Sequence, residues 1–248
     1  MTQNGFSNCL PAALSAIDGL IFDVDGTIWN STPIVAEAWS QIFKETPGLS
    51  RTVTDKDLQR IFGRTMRDIA MILFPEIDPD TMDPVWERCY KREHELIRQT
   101  LPHIYEGFDT VMQTLSKRFP LFIVSNCQAG YIELLLELTG WGPYVTDHLC
   151  PADTGLAKAD NIRTLCRRYG LRAPAYVGDT AGDEQATREA GAAFIFAEYG
   201  FGQAAHPDLV IARPADLLTL GCGTCHRLSA DGSGNSRYAP GGSVSGST

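Results

Sequence analysis

A short apolar run that stops at two carboxylates constrains the fold more than any other stretch of this sequence. Residues 19–22 read Gly-Leu-Ile-Phe, and Asp23-Val24-Asp25-Gly26-Thr27 follows them directly. Because the run does not alternate between apolar and polar residues, it predicts a strand over residues 18–25 that is buried on both faces, as in a parallel sheet. The stretch therefore favours an α/β protein that places Asp23 and Asp25 at the carboxyl end of a strand.

The segment after this strand is predicted to be helical and shows no convincing strand. Ser31, Thr32 and Pro33 form a helix-start signal, and apolar residues then recur at helical spacing until Pro47-Gly48. Further helices are predicted over residues 54–62, 66–74 and 81–99. Residues 31–100 are therefore expected to form an all-helical domain inserted after the first strand.

Strands and helices alternate at short spacing in the second half of the chain. Strands are predicted at residues 121–124, 175–177, 192–196 and 209–211, and helices at 106–118, 131–138, 158–169, 183–190 and 215–220. This alternation is typical of a parallel sheet with helices on both faces. We expect a Rossmann-like, doubly wound α/β core built from residues 18–30 and 101–220, with residues 31–100 as its helical cap.

Both ends of the chain are expected to be irregular. Residues 1–17 form a polar lead-in, and residues 221–248 are rich in Gly and Ser, which predicts disorder. The tail contains Cys222-Gly223-Thr224-Cys225-His226, a match to the C-x-x-C-H pattern of c-type haem attachment. Its place in a Gly/Ser tail favours two exposed thiols over haem, zinc or a disulfide, which stay open as alternatives.

The net charge and the cysteines of the chain indicate which partners it binds and in which cellular compartment it is found. A net charge of -9 gives no basic surface for nucleic acid or an anionic membrane. No apolar run reaches the roughly 18 residues that a membrane span needs. Seven scattered cysteines and the lack of a signal peptide favour reduced thiols. We expect a cytoplasmic protein, monomeric or homodimeric, that binds neither nucleic acid nor membrane.

Reactive side chains follow three of the predicted strands. They are Asp23 and Asp25 after the first, Ser125 and Asn126 after the second, and Asp179 with Asp183 after the third. In open parallel sheets the binding crevice lies at the carboxyl ends of the strands. Taken alone, Ser125 or Asp183 could be an ordinary helix cap, and Lys158 could be a solvated helix residue. The repetition at three strand ends favours a shared site.

These residues resemble the four motifs of the haloacid dehalogenase-like (HAD) hydrolases. Asp23-Val24-Asp25-Gly26-Thr27 matches the first motif, Ser125 the second, Lys158 the third, and Gly178-Asp179-Thr180-Ala181-Gly182-Asp183 the fourth. All four occur in the family's order and on the expected elements. The combination is far more specific than the first motif alone, and it implies the HAD core fold.

Two local sequences are most similar to the phosphoglycolate phosphatase-like branch of that family. They are Gly63-Arg64-Thr65 and Ser125-Asn126-Cys127-Gln128. In this branch a helical cap is inserted after the first motif, which agrees with the helical pattern of residues 31–100. Arg64 is the best candidate in the cap for a substrate contact, because its planar guanidinium suits a carboxylate or a second phosphate. A solvated surface arginine is the alternative.

The resemblance implies a Mg²⁺-dependent phosphatase that acts on a small phosphorylated metabolite, with phosphoglycolate as the leading substrate. It implies Asp23 as the nucleophile that forms an aspartyl-phosphate, Asp25 as general acid and base, and Lys158 as the cation that neutralises transition-state charge. The implied phosphoryl and substrate contacts are Ser125, Asn126, Thr27 and Arg64. The implied Mg²⁺ site comprises Asp23, Asp25 through its backbone carbonyl, Asp179, and Asp183 as a ligand or as a support for bound water.

Several alternatives stay open at this point. Asp25 favours phosphoryl transfer, because the dehalogenases of the family do not use this second aspartate as an acid or base. A β-phosphoglucomutase-like sugar phosphomutase uses the same two aspartates, and an inorganic pyrophosphatase is also compatible. The non-enzyme alternative is a catalytically silent HAD-fold protein that binds a partner.

Overall fold

The computed structural model describes residue 14, residues 16–49 and residues 51–220. The Cys222–His226 motif, the rest of the C-terminal tail, and the lead-in apart from residues 14, 16 and 17 lie outside the described residues. The predictions made for those segments therefore stay predictions.

Eight strands occur in the described part of the chain. They are β1 (Gly19–Phe22), β2 (Trp29–Asn30), β3 (His103–Ile104), β4 (Leu121–Val124), β5 (Asp147–Leu149), β6 (Pro174–Gly178), β7 (Ala193–Ala197) and β8 (Leu209–Ile211). Six of them form one parallel sheet in the order β5-β4-β1-β6-β7-β8. The chain builds outward from β1 to one edge and then crosses to build the other half, so the switch in strand order lies beside β1.

Nine α-helices accompany the strands within the described residues. The first four are α1 (Thr32–Glu45), α2 (Asp55–Ile61), α3 (Met66–Leu73) and α4 (Asp83–Gln99), and the others are α5 (Phe108–Leu115), α6 (Tyr131–Thr139), α7 (Pro151–Thr154), α8 (Lys158–Tyr169) and α9 (Ala181–Ala190). Short 3₁₀ turns occur at Pro79–Thr81, Gly142–Tyr144 and Pro214–Thr219. The last of these takes the place of the helix predicted over residues 215–220.

Alternate residues of β1 pack on opposite faces of the sheet. Leu20 and Phe22 join an apolar cluster with residues of α5 and α6, whereas Ile21 joins a second cluster with Ile162 and Leu165 of α8. All three β1 side chains are fully buried. Helices thus cover both faces of the sheet, which confirms the predicted doubly wound α/β class.

Helices α1 to α4 have an apolar core of their own. Trp39 of α1 packs against Trp86 of α4 with ring centroids 5.1 Å apart, and Phe43 lies 5.7 Å from the same ring. Because these side chains do not need the sheet to become buried, the helical unit is a separate layer over the core. It corresponds to the predicted cap, whose boundaries at residues 31 and 100 stay a prediction.

The two connections between the helical unit and the sheet run side by side. β2 pairs antiparallel with β3, with Trp29 opposite Ile104 and Asn30 opposite His103. These two-residue strands, like β5 at the sheet edge, were not predicted, because such short segments carry too few residues for a periodic pattern. The ribbon fixes where the chain leaves and re-enters the core.

β1 is shorter than predicted because the chain turns directly after it. The carbonyl oxygen of Val24 accepts hydrogen bonds from the backbone amides of Thr27, Ile28 and Trp29. Gly26, with φ of 83°, occupies the left-handed conformation within this turn, and a Cβ there would lie 2.1 Å from Oδ2 of Asp179. The glycine therefore allows the turn to approach the end of β6.

Candidate active site

The carboxyl ends of β1, β4 and β6 bring the first reactive groups together. Asp23 follows β1, Ser125 follows β4 and Asp179 follows β6, and all three are buried. The backbone amide of Asp23 donates to Val177 of β6 at 2.9 Å, which continues the sheet pairing past the end of β1. The sheet itself therefore positions the predicted nucleophile beside the fourth motif.

Lys158, in the first turn of α8, places its ammonium group beside these strand ends. Its ammonium nitrogen lies 2.9 Å from Oδ1 of Asp23 and 2.6 Å from Oδ1 of Asp183, and its side chain is 5% exposed. Burial alone would lower the pKa of Lys158, but the charges of Asp183 and Asp23 outweigh it and raise the pKa. Lys158 is thus a buried cation, and the alternative of a solvated helix residue is wrong.

Three carboxylates surround this single lysine. Asp23, Asp179 and Asp183 each offer one oxygen, and these oxygens all lie within 4.8 Å of one another. Burial raises the pKa of Asp23 and of Asp179, and the neighbouring carboxylates raise both further. Three acidic groups against one lysine leave an excess of negative charge, and carboxylate oxygen is the ligand that Mg²⁺ prefers. The donor set fits a divalent cation.

The two aspartates of the fourth motif have different surroundings. Asp183 accepts from the Thr180 hydroxyl at 2.7 Å and amide at 3.0 Å through Oδ2, and from Lys158 through Oδ1. Asp179 accepts from the Phe201 amide at 2.7 Å and, at 3.5 Å, from the Thr27 hydroxyl. Asp183 is therefore part of a helix cap and also holds Lys158. Asp179 has one short hydrogen bond, from Phe201, and one long one, from Thr27.

Asp25 lies beside this cluster with hydrogen bonds of its own. Its Oδ1 accepts from the Ser31 hydroxyl at 2.5 Å, and its Oδ2 accepts from the Tyr131 hydroxyl at 2.9 Å. Burial raises the pKa of Asp25 to about 7, against the lowering effect of these two hydrogen bonds. A carboxyl that is partly protonated near neutral pH suits a general acid and base. Sequence reasoning missed Ser31 and Tyr131 as partners of Asp25.

The predicted phosphoryl contacts occupy different places. Ser125 is 5% exposed, and its hydrogen bond to Asp23 opposes the effect of burial on the pKa of that carboxyl. It precedes α6 by six residues and so is not the cap of that helix. Asn126 donates through Nδ2 to the backbone oxygen of Gly63 at 2.8 Å, which ties the core to the cap. Thr27 is fully buried and contacts Asp179.

A narrow cleft between the cap and the core leads to Asp23 and Asp25. Its cap side is lined by Trp39, Phe62, Met66 and Ile69, together with Gly63 and Arg64. Its core side adds Asn126, Cys127, Gln128 and Tyr131. Arg64 is exposed, so it is available to a ligand in the cleft. An adjoining cavity of about 310 Å³ continues past Gln128 towards Tyr90 and Pro151.

A family model described as haloacid dehalogenase-like hydrolase matches residues 20–197 of the chain. The matched range includes all four motifs and the helical unit between the first and the second. It thus covers the elements that form the cleft.

Named relatives are similar over most of their length. A phosphoglycolate phosphatase of Chromobacterium violaceum is 28% identical over 228 residues, which covers 84% of this chain and 97% of the relative. The phosphoglycolate phosphatase of Pectobacterium atrosepticum is 27% identical, with 84% and 94% covered. Pyrophosphatase PpaX of Oceanobacillus iheyensis is 23% identical, with 83% and 97% covered.

Solved structures share the fold. A haloacid dehalogenase-like hydrolase from Bacteroides fragilis superposes with a TM-score of 0.73 at 17% identity, covering 82% of this chain and 100% of the other. A haloacid dehalogenase-like family hydrolase from Streptococcus pneumoniae gives a TM-score of 0.71 at 20% identity, with 82% and 97% covered. Among the described residues of this chain, no helix combines the length and apolar character needed to cross a membrane.

Proposed function

The chain belongs to the haloacid dehalogenase-like hydrolases, and from that premise we propose that it is a Mg²⁺-dependent phosphatase that hydrolyses small phosphate monoesters through a phosphorylated Asp23. The observation that carries the proposal is the contact of Lys158 with both Asp23 and Asp183 inside the protein. It joins the first, third and fourth motifs in one buried site.

Each residue near the reacting phosphorus has a distinct task in this proposal. Asp23 attacks phosphorus, the bond to the ester oxygen breaks, and Asp25 gives its proton to that oxygen. A water then attacks the aspartyl-phosphate, Asp25 takes the proton of that water, and phosphate leaves with Asp23 restored. Lys158 lowers the energy of the negative charge that develops on the phosphoryl oxygens.

Mg²⁺ would be held by Asp23, Asp179 and the backbone carbonyl of Asp25. Asp183 would support the site, because Lys158 already contacts its Oδ1 and Thr180 its Oδ2 at short distances, whereas Oδ1 of Asp179 accepts only at 3.5 Å from Thr27. When bound, the ion supplies positive charge to a dianionic phosphoryl group that otherwise repels a carboxylate nucleophile. Ser125, Asn126 and Thr27 complete the proposed surroundings of the phosphoryl group.

Phosphoglycolate is the first substrate to test. Two relatives carry the name phosphoglycolate phosphatase, and Arg64 lines the cleft with its side chain exposed. A guanidinium there would pair with the glycolate carboxylate. Pyrophosphate is the second candidate, because another relative is named a pyrophosphatase. The cytoplasmic location and the monomeric or homodimeric state stay predictions.

Phosphate release by the purified protein tests the function. We expect turnover of at least one compound in a panel of phosphoglycolate, pyrophosphate, sugar phosphates and simple alkyl phosphates, with loss of turnover when a chelator removes Mg²⁺. Conversion of a sugar phosphate into its isomer, without free phosphate, would assign a phosphomutase instead. Absence of phosphate release across the panel, with stable capture of a partner, would favour a binding protein.

A further inference from the structure

A buried carboxylate of the cap has no part in the phosphoryl chemistry described above. Glu93, on α4, is 3% exposed. Its Oε2 accepts from the Trp39 indole at 3.1 Å, and its Oε1 accepts from the side-chain nitrogen of Gln128 at 2.7 Å. Burial of a carboxylate is costly unless hydrogen bonds offset it. Glu93 is therefore held by one donor from the cap and one from the core.

These contacts orient the amide of Gln128. The structure places the nitrogen of Gln128, and not its oxygen, against Glu93, and above the pKa of Glu93 the ionised carboxylate can only accept from it. The same nitrogen lies 3.3 Å from Nε2 of His94, the next residue of α4. Burial lowers the pKa of His94, which favours a neutral ring able to accept at Nε2. Both N–H groups of Gln128 are thus directed to the cap.

With both N–H groups of Gln128 directed to the cap, its oxygen is the amide atom that remains for a ligand in the cleft. Within residues 14, 16–49 and 51–220 this oxygen accepts no hydrogen bond, although it is not sealed from solvent. Gln128 lines both the cleft next to Asp23 and Asp25 and the adjoining cavity of about 310 Å³. Most side chains on the cap side of the cleft, opposite Gln128, are apolar. A ligand that passes the phosphoryl site therefore meets an oriented hydrogen-bond acceptor.

We propose that Gln128 recognises the leaving group of the substrate by accepting a hydrogen bond from an alcohol hydroxyl, and that Glu93 is the positioning residue that fixes its amide. The inference rests on the proposed phosphatase function and names a substrate class for it: phosphate monoesters whose leaving group carries a further hydroxyl. A carboxylate has no proton to share with this oxygen, so an ester such as phosphoglycolate would depend on Arg64 instead.

Matched pairs of substrates isolate this contact. 2-Hydroxyethyl phosphate and propyl phosphate differ by a hydroxyl in place of a methyl group, as do 3-hydroxypropyl phosphate and butyl phosphate. The measurement is the ratio of kcat/KM within each pair at pH 9, which lies above the pKa of about 8 to which burial raises Glu93. We expect the wild-type protein to prefer the hydroxyl ester by about tenfold in at least one pair, as one hydrogen bond to an oriented acceptor allows.

Variants then assign the preference to Gln128. Gln128→Met keeps the length of the side chain without its amide, and the ratio should fall to about one. Gln113→Met is the matched control, because Gln113 is exposed on α5, and it should keep the wild-type ratio. Glu93→Leu should lower the ratio by releasing the amide, and Glu93→Gln, which keeps an acceptor oxygen for Gln128, should restore it.

The outcomes separate this inference from the function on which it rests. A wild-type ratio near one in both pairs, or a preference that persists in Gln128→Met, would overturn the role of Gln128 while leaving the phosphatase proposal intact. Failure to release phosphate from any ester, including phosphoglycolate, would overturn both. If Gln128→Met does not fold, the contrast between Glu93→Leu and Glu93→Gln decides the same question.

Discussion

Lys158 and Asp183 form a buried ion pair of 2.6 Å that joins the first turn of α8 to the first turn of α9. The same ammonium group lies 2.9 Å from the proposed nucleophile, Asp23. The pair therefore fixes the relative position of two motifs that are 25 residues apart in the chain. Because the single positive charge of Lys158 contacts Asp23 and Asp183, it does not neutralise the charge of Asp179.

Replacement of Lys158 by Met should leave a group of buried carboxylates uncompensated. We expect a destabilisation of about 3 kcal/mol without Mg²⁺, as for other buried pairs that lose one partner, and a loss of turnover of at least about a hundredfold. Lys117→Met is the control, because Lys117 is exposed. Urea unfolding and phosphate release measure the two effects, and equal stability of both variants would contradict the role of Lys158.

Asp183 and Asp57 offer a matched test of a helix cap against a site residue. Both close a capping box, with Thr180 at the start of α9 and with Thr54 at the start of α2. Asp57→Asn should lower stability slightly, by weakening the capping box at the start of α2, and leave turnover unchanged. Asp183→Asn should in addition weaken Mg²⁺ activation by about tenfold or more, because Asp183 also holds Lys158. If Asp57→Asn and Asp183→Asn changed the Mg²⁺ titration equally, Asp183 would act only as a helix cap.

The raised pKa of Glu93 predicts how the stability of the protein depends on pH. Burial raises the pKa of Glu93 from 4.5 to about 8, against the lowering effect of its hydrogen bonds from Gln128 and Trp39. The native protein therefore holds this proton more tightly than the unfolded chain, and the resulting stability is present below pH 4.5 and is lost as pH rises to about 8. The full shift corresponds to about 5 kcal/mol as an upper bound.

Glu93→Gln removes this ionisation, so its stability relative to the wild type should rise between pH 5 and pH 9. Unfolding by urea at each pH measures the difference. Glu87→Gln, at an exposed position of the same helix, is the control, and its difference from the wild type should stay constant. A constant difference for Glu93→Gln as well would show that Glu93 ionises equally in the folded and unfolded states.

Asp25→Asn should separate the two halves of the proposed reaction. p-Nitrophenolate is a good leaving group that needs no proton, so the first step should survive, whereas attack of water should slow without a base. We expect one equivalent of nitrophenolate to appear in a burst, followed by turnover slower by about a hundredfold. Stopped-flow absorbance detects this burst, and steady turnover at the wild-type rate would remove Asp25 from the mechanism.

The sequence predicts much of the core and of the site because its signals there are local. Apolar runs that end at Asp23, Ser125 and Asp179 indicate the strands and their carboxyl ends. The edge strand Asp147–Leu149 is only three residues long and two of them are polar, so no apolar run marks it. The β2–β3 ribbon is shorter still, and its pairing joins residues more than 70 positions apart.

Contacts between residues far apart in the chain were not predictable from spacing. Tyr131 contacts Asp25 across 106 positions of the chain, and Gln128 contacts Glu93 across 35. In the sequence Glu93 lies on a helix rich in charged residues and has the pattern of a solvated side chain. Its burial depends on how α4 packs against α1 and the core, which no local pattern specifies.

Phosphorylation of Asp23 is the most direct test of the central claim. The Asp25→Asn protein, mixed with p-nitrophenyl phosphate and Mg²⁺ and quenched in acid within the burst, should carry one phosphoryl group, and peptide mass spectrometry should place it on Asp23. The Asp23→Asn protein should carry none and release no phosphate. Phosphate release by Asp23→Asn, or a phosphoryl group on another residue, would contradict the account.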